Sequence, residues 1–293
     1  MTIQFYCPKC DTIIAFDRKH CGKRARCTTC GQLFIIPSED FETPQKIETE
    51  VKRTDPLPGF YRAVFVDSWK LFIDSDNTTT LVFVLAAVLF KFLLGTGICC
   101  MNIISFVVVW GWLLGFYMNI IYETAYEIDK LPEIHLGTSL TFLWYIFKPL
   151  FIFLWTMAVV QTPFVIAFGL LQHRGLVGDN MQQMGIVPLL LFILGLFLFP
   201  IAILTVAVGK NITLLRPDYL FKPVFRAFGP YLAAVTLLVA TGIIEMQTRS
   251  FTGINLAMDT VHLVLDLAAQ VIAIIAMRAI GLFYRHYSCY FAW

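Results

Sequence analysis

Charged residues are scarce in this chain, and most of its length has almost none. Of the 293 residues, 14% are Asp, Glu, Lys or Arg and 58% are hydrophobic, and the mean hydropathy is +0.73. This composition excludes an ordinary soluble globular protein and favours a multi-pass membrane protein. The exception is the part before Thr78, which holds 11 of the 22 Lys and Arg residues and 11 of the 20 Asp and Glu residues. We expect this first quarter to be soluble.

The sequence also lacks targeting and catalytic signals. Residues 1–6 have no basic region and the first long apolar run begins near Thr78, so we expect no cleaved signal peptide. The motifs H-E-x-x-H, G-x-S-x-G and G-x-x-x-x-G-K-[ST] are missing, and no G-x-G-x-x-G follows a predicted strand. No reaction can be named on this basis, and we predict a non-enzymatic protein.

Cysteine is present, and five of the eight cysteines lie in the first thirty positions. Cys7 and Cys10 form one Cys-x-x-Cys pair, and Cys27 and Cys30 form a second pair after sixteen intervening residues. This spacing is typical of a zinc ribbon, in which two turns face each other and supply four thiolates. Four sulfur ligands leave no position for water or substrate, so the predicted Zn²⁺ is structural. Two disulfides or a redox-active Cys-x-x-Cys are the alternatives.

The flanks of the two cysteine pairs also suit a ribbon. Short β-branched and aromatic runs at 3–6, 12–16 and 32–36 predict small strands. A segment this small has little core of its own, so the metal would supply much of its folding free energy. The predicted domains are therefore a zinc ribbon at 1–37, a flexible polar linker at 38–59 and a membrane domain at 60–293.

A basic run lies between the two cysteine pairs. It consists of Arg18, Lys19, Lys23, Arg24 and Arg26. Such a run could contact nucleic-acid phosphates. It could instead offset the negative charge of the zinc and its four thiolates, or face anionic lipid headgroups, and we favour this second interpretation.

Six stretches are long and apolar enough to cross a hydrocarbon core of ~30 Å, which takes about 20 helical residues. They lie at 79–98, 103–124, 149–171, 186–209, 229–247 and 257–280. Residues 60–76 combine Asp67, Lys70 and Asp74 with aromatic side chains, which predicts one interfacial helix lying on the membrane. The predicted fold is a mainly α membrane helix bundle with about six transmembrane helices and a small N-terminal β zinc ribbon.

Glycines predict where the first two spans meet. Gly95 and Gly97 lie near the end of the first span, and Gly111 and Gly115 lie in the second at a spacing of four. Small residues at this spacing let helix backbones approach closely. We therefore expect an antiparallel helical hairpin whose partner faces carry these glycines. The alternative is that glycine is simply common in membrane helices.

Lys and Arg are distributed unevenly between the two sides of this topology. With the N-terminus inside, the outer loops hold only Arg174 and Arg249, whereas the others apart from Lys91 fall on the cytoplasmic side. The positive-inside rule then predicts that both termini are cytosolic. A reducing cytosol would favour zinc ligation by the cysteines over disulfide formation.

Ionisable residues inside the predicted spans are few and costly, at roughly 2.5–3.5 kcal/mol each. Lys91 lies in the first span, Glu245 lies near the outer end of the fifth, and His262 and Asp266 lie one helical turn apart in the sixth. A rise of 1.5 Å per residue gives Lys91 and Asp266 comparable depths, so we predict an ion pair between them. The pair either fixes helix packing, which we favour, or belongs to a polar site or proton-linked pathway.

The residues that carry a family resemblance lie at both ends of the chain. The first 37 residues, with CPKC, GKRARCTTCG and a closing strand that ends IIP, resemble the N-terminal zinc ribbons of bacterial proteins. The membrane part is similar to a bacterial multi-pass family of uncharacterised function that often carries such a ribbon, on the segments DKLPEIHLG and GLFYRHYSCYFAW. The resemblance implies a protein of the bacterial cytoplasmic (inner) membrane and implies no activity.

These observations lead to one predicted function and two alternatives. The prediction is a non-enzymatic membrane protein whose cytosolic zinc ribbon docks a protein partner or joins a larger membrane complex. One alternative is a transporter or channel-like protein that uses the polar residues Lys91, His262 and Asp266. The other is a membrane-tethered nucleic-acid-binding protein, which would require the basic run to be exposed.

Overall fold

The chain forms a small unit of strands followed by a larger unit of helices. The computed structural model describes residues 2–7, 10, 12–17, 20, 24–31, 33–36, 55–94, 99–134, 140–175, 185–209 and 217–291. The two compact units are Met1–Asp55 and Pro56–Trp293. Most of the predicted linker at 38–59 lies outside the described residues, so the predicted domain boundaries stay predictions.

The first unit contains two antiparallel hairpins. Its strands are β1 (Thr2–Tyr6), β2 (Ile13–Asp17), β3 (Arg24–Arg26) and β4 (Leu33–Ile35). β1 pairs with β2, and β3 pairs with β4. Aromatic rings join the hairpins: Phe5 stacks on Phe16 and meets the edge of Phe34 at 5.3 Å between ring centroids. Phe5 and Phe34 are fully buried, so these rings form the core of the unit.

The second unit is helical. Its helices are α1 (Phe60–Phe65), α2 (Lys70–Ile73), α3 (Thr78–Leu94), α4 (Cys99–Ala125), α5 (Leu140–His173), α6 (Ile186–Gly209), α7 (Pro217–Arg226), α8 (Phe228–Gln247) and α9 (Leu256–Tyr287). In the described residues, five helical stretches are long and apolar enough to cross a membrane: Ser75–Leu93, Ile146–His173, Ile186–Gly209, Phe228–Gln247 and Leu256–Tyr290. The chain is thus mainly helical and suited to membrane passage, as expected. The predicted span at 103–124 lies within α4, which is not among these five.

Helix α9 occupies the centre of the bundle and packs against α3, α4, α6 and α8, while α5 packs against α4 and α6. Gly281 of α9 lets α4 approach closely, because a Cβ at this position would lie 2.7 Å from Ile121 O and from Thr124 Cβ of α4. Gly111 similarly faces α5, where a Cβ would lie 2.7 Å from Ile146 O.

The predicted contact of Gly111 with the first span is therefore wrong, because its close neighbour belongs to α5. Helical spacing identifies a face with small residues but does not identify the helix that packs on it. Gly95 and Gly97 lie outside the described residues.

Loop contacts distinguish the two ends of the bundle. At one end, Phe251 N–H donates to Phe92 O at 3.0 Å, next to Lys91. At the other end, Leu57 N–H donates to His286 O at 2.8 Å, in the last part of α9 that also carries Arg278. We call these the Lys91 end and the Arg278 end.

Several helices expose apolar side chains. On α5 the exposed large residues include Phe147, Phe151, Leu154, Trp155, Val165, Ile166 and Leu170. Soluble monomers rarely expose large contiguous apolar patches, whereas such a surface matches the hydrocarbon of a membrane. The exposed faces and the buried α9 together indicate a membrane protein.

The predicted single interfacial helix at 60–76 is wrong in its continuity. The segment consists of α1, a 3₁₀ turn at Asp67–Trp69, α2 and a 3₁₀ turn at Ser75–Asn77. Polar side chains compete for the backbone here: Ser68 Oγ donates to Ala63 O, and Asn77 Nδ2 donates to Leu71 O, each at 3.0 Å. Such bonds offer the backbone an alternative to a regular helix.

Candidate metal centre and buried polar cluster

Each pair of cysteines lies in a tight turn of the strand unit. Cys7 N–H donates to Thr12 O at 2.9 Å after β1, and Gly31 N–H donates to Cys27 O at 3.0 Å between β3 and β4. Gly31 has a φ of +73°, a left-handed conformation that glycine adopts at no steric cost. Two hydrogen-bonded turns therefore fix the backbone that carries the cysteines.

The two turns bring the four thiols together. Cys7 Sγ lies 3.6 Å from Cys30 Sγ, Cys10 Sγ lies 3.7 Å from Cys27 Sγ, and all four sulfurs lie within 4.8 Å of one another. In a tetrahedral site with Zn–S bonds of ~2.3 Å, the sulfurs would be about 3.8 Å apart. The four cysteines can therefore hold a metal ion such as zinc, and none of them forms a disulfide.

Local hydrogen bonds favour the thiolate form at two of these sulfurs. The Thr12 hydroxyl, 3.2 Å from Cys10 Sγ, and the Thr12 backbone N–H lower the pKa of Cys10 from 9.0 to about 6. The backbone N–H of Cys30 is the main cause of a lowered pKa at Cys27. Since the thiolate is the form that binds metal, the turns are chemically suited to a cation.

The surroundings of the thiols match a structural role for a metal. Cys7 and Cys27 are buried beside Phe5 and Phe34, and Cys10 and Cys30 are half-buried. One side of the site thus joins the aromatic core that both hairpins share. A metal bound by all four sulfurs would tie the two hairpins together at this core.

The basic run is only partly described. Arg24 and Arg26 are the first and last residues of β3, and Arg26 is exposed. The predicted contributions of Arg18, Lys19 and Lys23 fall outside the described residues. A strand at this position was not predicted, because arginine-rich sequence carries little β signal.

A buried polar cluster occupies the Lys91 end of the bundle. Lys91 Nζ lies 2.8 Å from Asp266 Oδ1 and 2.5 Å from Glu245 Oε1. The Asp266 side chain is 3% exposed, while those of Lys91 and Glu245 are 16% and 22% exposed. Trp110 adds a cation–π contact, with Lys91 Nζ 5.3 Å from the ring centroid. The expected contact between Lys91 and Asp266 is present.

Sequence reasoning named Glu245 as an ionisable residue of the fifth span without assigning it to this cluster, and it missed Tyr117 and Gln270. Glu245 is the second carboxylate, and Tyr117 donates a hydrogen bond to Gln270 Oε1 one turn along α9 from Asp266. Depth along the helices makes Glu245 a candidate, because it lies two residues before the end of α8 and Lys91 lies three residues before the end of α3. Depth alone does not show that the Glu245 side chain faces Lys91. Tyr117 and Gln270 carry no charge and gave no comparable signal.

The structure does not bring His262 into the ion-paired cluster. In the described part of the chain, His262 Nδ1 is buried without a hydrogen-bond partner. Asp259, on the same helix, accepts the Thr252 hydroxyl at 2.9 Å and the Gly253 N–H at 2.9 Å. Asp259 therefore fixes the loop before α9 and lies in a different group from the contact of Lys91 with Asp266.

A cavity of about 630 Å³ lies at the Arg278 end. No family model matches the chain, and searches of curated proteins and of solved structures give no match. The resemblances of the ribbon and of the membrane part to bacterial proteins therefore stay predictions.

Proposed function

We propose that the protein is a non-enzymatic integral membrane protein whose cytosolic zinc ribbon docks a protein partner or a subunit of a larger membrane complex. The proposal places it in the bacterial cytoplasmic membrane with both termini in the cytosol. The observation that supports this proposal most directly is the cluster of four thiols, whose sulfur atoms lie within 4.8 Å of one another. Zinc held by four sulfurs has no open coordination position, so the ribbon would serve recognition rather than catalysis.

The shape of the strand unit supports docking. Each sheet contains two strands in the described residues, and the outer edge of such a sheet offers N–H and C=O groups to an extended peptide. Ile13, at the start of β2, is 55% exposed. A peptide strand added at such an edge, with an apolar side chain over Ile13, is the mode of docking that we propose.

The proposal counts α4 as a sixth membrane crossing. Trp110 of α4 lies against Lys91, and Thr124 lies against Gly281 near the Arg278 end. With 27 residues and a rise of 1.5 Å per residue, α4 is about 40 Å long, which exceeds a hydrocarbon core of ~30 Å. Six crossings return the C-terminus to the side of the N-terminus, in agreement with the distribution of Lys and Arg.

A transporter is the second candidate, and one observation favours it. The cluster at the Lys91 end holds one ammonium and two carboxylates, and buried charges inside membranes often mark ion or proton pathways. The docking proposal explains the same cluster as direct contacts of Lys91 with both carboxylates, which fix helix packing.

Copurification of the full chain tests the docking proposal. Gently solubilised wild type, Cys27→Ser and Cys289→Ser are compared by quantitative mass spectrometry of bound proteins. We expect Cys27→Ser to lose a specific partner that Cys289→Ser retains, because Cys289 lies outside the metal cluster. The same partners bound to all three chains would contradict docking through the ribbon.

Two further variants separate the alternatives. Lys91→Met should leave the partner set unchanged if the ribbon alone docks, whereas a transporter would lose uptake in this variant while keeping its partners. A membrane-tethered nucleic-acid binder would instead bind DNA or RNA in a salt-sensitive manner. Arg26→Gln would then weaken that binding without changing the zinc content.

A further inference from the structure

An open cleft of about 630 Å³ lies at the Arg278 end, between the segment 63–74 and the last turns of α9. Its charged lining consists of Asp67, Lys70, Asp74, Asp129, Arg278 and Arg285. Ligand-binding cavities commonly measure about 300–1,000 Å³. The cleft is therefore large enough for a small polar ligand, and nothing in the proposed docking function uses it.

Two arginines form one wall of the cleft. Arg278 Nη2 donates to Asp129 Oδ1 at 2.9 Å, and Arg285 Nη1 lies 3.2 Å from both carboxylate oxygens of Asp129. The Arg278 side chain is only 6% exposed, and its Nε has no hydrogen-bond partner in the part of the chain that the structure describes. The bonds to Asp129 use only part of the five N–H donors of each guanidinium, and phosphate oxygens accept such donors in a matching geometry.

Carboxylates lie on the opposite wall. Lys70 Nζ lies 2.6 Å from Asp67 Oδ1, and this hydrogen bond is the main cause that lowers the pKa of Asp67. Asp74 Oδ1 accepts the Asp76 N–H at 3.1 Å, and an ionised carboxylate can accept further hydrogen bonds. The wall from segment 63–74 thus presents negative groups that a small cation could contact.

The two walls carry opposite net charge, because Arg278 and Arg285 outnumber Asp129 on one wall. On the other wall, Asp67 and Asp74 outnumber Lys70. A ligand with a single charge would leave one wall unmatched, whereas a ligand with both charges a few ångströms apart would match both walls. Apolar side chains border the same cleft: Leu71 and Ile73 line it, and Ile73 is 83% exposed. Lipid chains could lie along this apolar border.

We propose that the cleft binds the headgroup of a glycerophospholipid that joins a phosphate to a primary ammonium, as in phosphatidylethanolamine. The phosphate contacts Arg278 and Arg285, and the ammonium donates hydrogen bonds to Asp74 and Asp67. A free phosphoethanolamine has the same polar chemistry. The exposed Ile73 and the membrane-suited helices favour the lipid as its source.

Lipid retention by the full chain tests this proposal. The protein is reconstituted in vesicles of equal parts phosphatidylethanolamine, phosphatidylcholine and phosphatidylglycerol, extracted in mild detergent and analysed for bound lipid by native mass spectrometry. Phosphatidylcholine carries no N–H donor on its cation, and phosphatidylglycerol carries no cation. We expect phosphatidylethanolamine to be retained about tenfold over either, which corresponds to one charge-assisted hydrogen bond.

Two variants, one at the exposed Asp74 and one at the half-buried Arg285, are measured together with the melting temperature, which separates binding from folding. Asp74→Asn should abolish the preference, because the ammonium distinguishes the three lipids, and Arg285→Gln should lower the retention of all three, because they share the phosphate. Both effects are expected at an unchanged melting temperature, while the control Lys222→Gln, exposed on α7, should preserve both retention and preference. Equal retention of the ethanolamine and choline lipids would overturn the proposal, as would a preference for phosphatidylglycerol. Specific binding of soluble phosphoethanolamine or inorganic phosphate without retention of lipid would also overturn it, by assigning the cleft to a free solute.

Discussion

Replacing Lys91 with methionine removes the ammonium that faces Asp266 and Glu245 while keeping an unbranched side chain of similar length. Asp266 is nearly inaccessible, with a side chain 3% exposed, so its carboxylate would lose its charged partner without gaining water. Removing one partner of a buried ion pair costs about 3–5 kcal/mol. We expect a loss of unfolding free energy in this range, with the greater part arising from Asp266 because Glu245 is more exposed.

Reversible unfolding in mixed micelles, followed by tryptophan fluorescence, measures this loss. The control is Lys130→Met, which removes an exposed ion pair with Asp76 and should leave stability unchanged within error. The triple variant Lys91→Met, Glu245→Gln, Asp266→Asn should regain much of the loss, because no unpaired carboxylate remains. A Lys91→Met protein as stable as the Lys130→Met protein would refute the reasoning, and so would additive effects of Lys91→Met and Asp266→Asn.

Two further predictions concern the ribbon and the packing of the bundle. Thr12→Val removes the hydroxyl next to Cys10 and should raise the pKa of the Cys10 thiol from about 6, measured in metal-free protein by the pH dependence of alkylation. The pKa of Cys10 is lower in the folded ribbon than its unfolded value of 9.0, so ionised Cys10 stabilises the metal-free ribbon. This contribution to the unfolding free energy is complete above about pH 9 and is lost as the pH falls through about 6. An unchanged alkylation profile would contradict the assigned hydrogen bond. Gly281→Ala should destabilise the bundle by about 1–3 kcal/mol, because its Cβ would overlap Thr124 of α4. The control Gly242→Ala, which has open space around it, should leave stability unchanged. Equal shifts of the melting temperature for the two variants would contradict the close approach of α4 and α9.

The cysteine cluster was predictable because its information is local. Two residues separate the members of each pair, and a turn of that length carries both thiols on one side whatever the rest of the chain does. The gathering of all four sulfurs also requires the two hairpins to pack together, a packing that Phe34 provides by contacting Phe5 and Phe16. The strand β3 was not predictable in this way, because it forms through pairing with β4 and not through the preferences of its own residues.

In the membrane part, the sequence predicts how deep each polar residue lies along its helix, but not which neighbouring helix its side chain faces. Counting residues placed Lys91 level with Asp266, and the two are in contact. The same count could not decide whether Glu245 faces Lys91 or lipid, since it gives height only. Gly111 shows the same limit, because its contact with α5 instead of α3 depends on how the helices are arranged around α9.

The interruption of the helix at 60–76 depends on hydrogen bonds from polar side chains to the backbone. The apolar spacing of this segment suits a helix, but the Ser68 and Asn77 side chains bind backbone carbonyls. Asn77 also accepts the Leu131 N–H at 3.0 Å through its Oδ1. That contact joins residues far apart in the chain, so the local pattern does not show that Asn77 is held in place by the loop at Leu131.

The metal content of the full-length protein tests the central claim most directly. The chain is purified from membranes in mild detergent without added metal, and zinc is measured by mass spectrometry against protein concentration. The account predicts equimolar zinc in wild type and in Cys289→Ser, and its loss in Cys7→Ser and Cys27→Ser. A wild-type protein free of bound metal, or zinc that persists in both cysteine-cluster variants, would contradict the zinc ribbon and the docking function built on it.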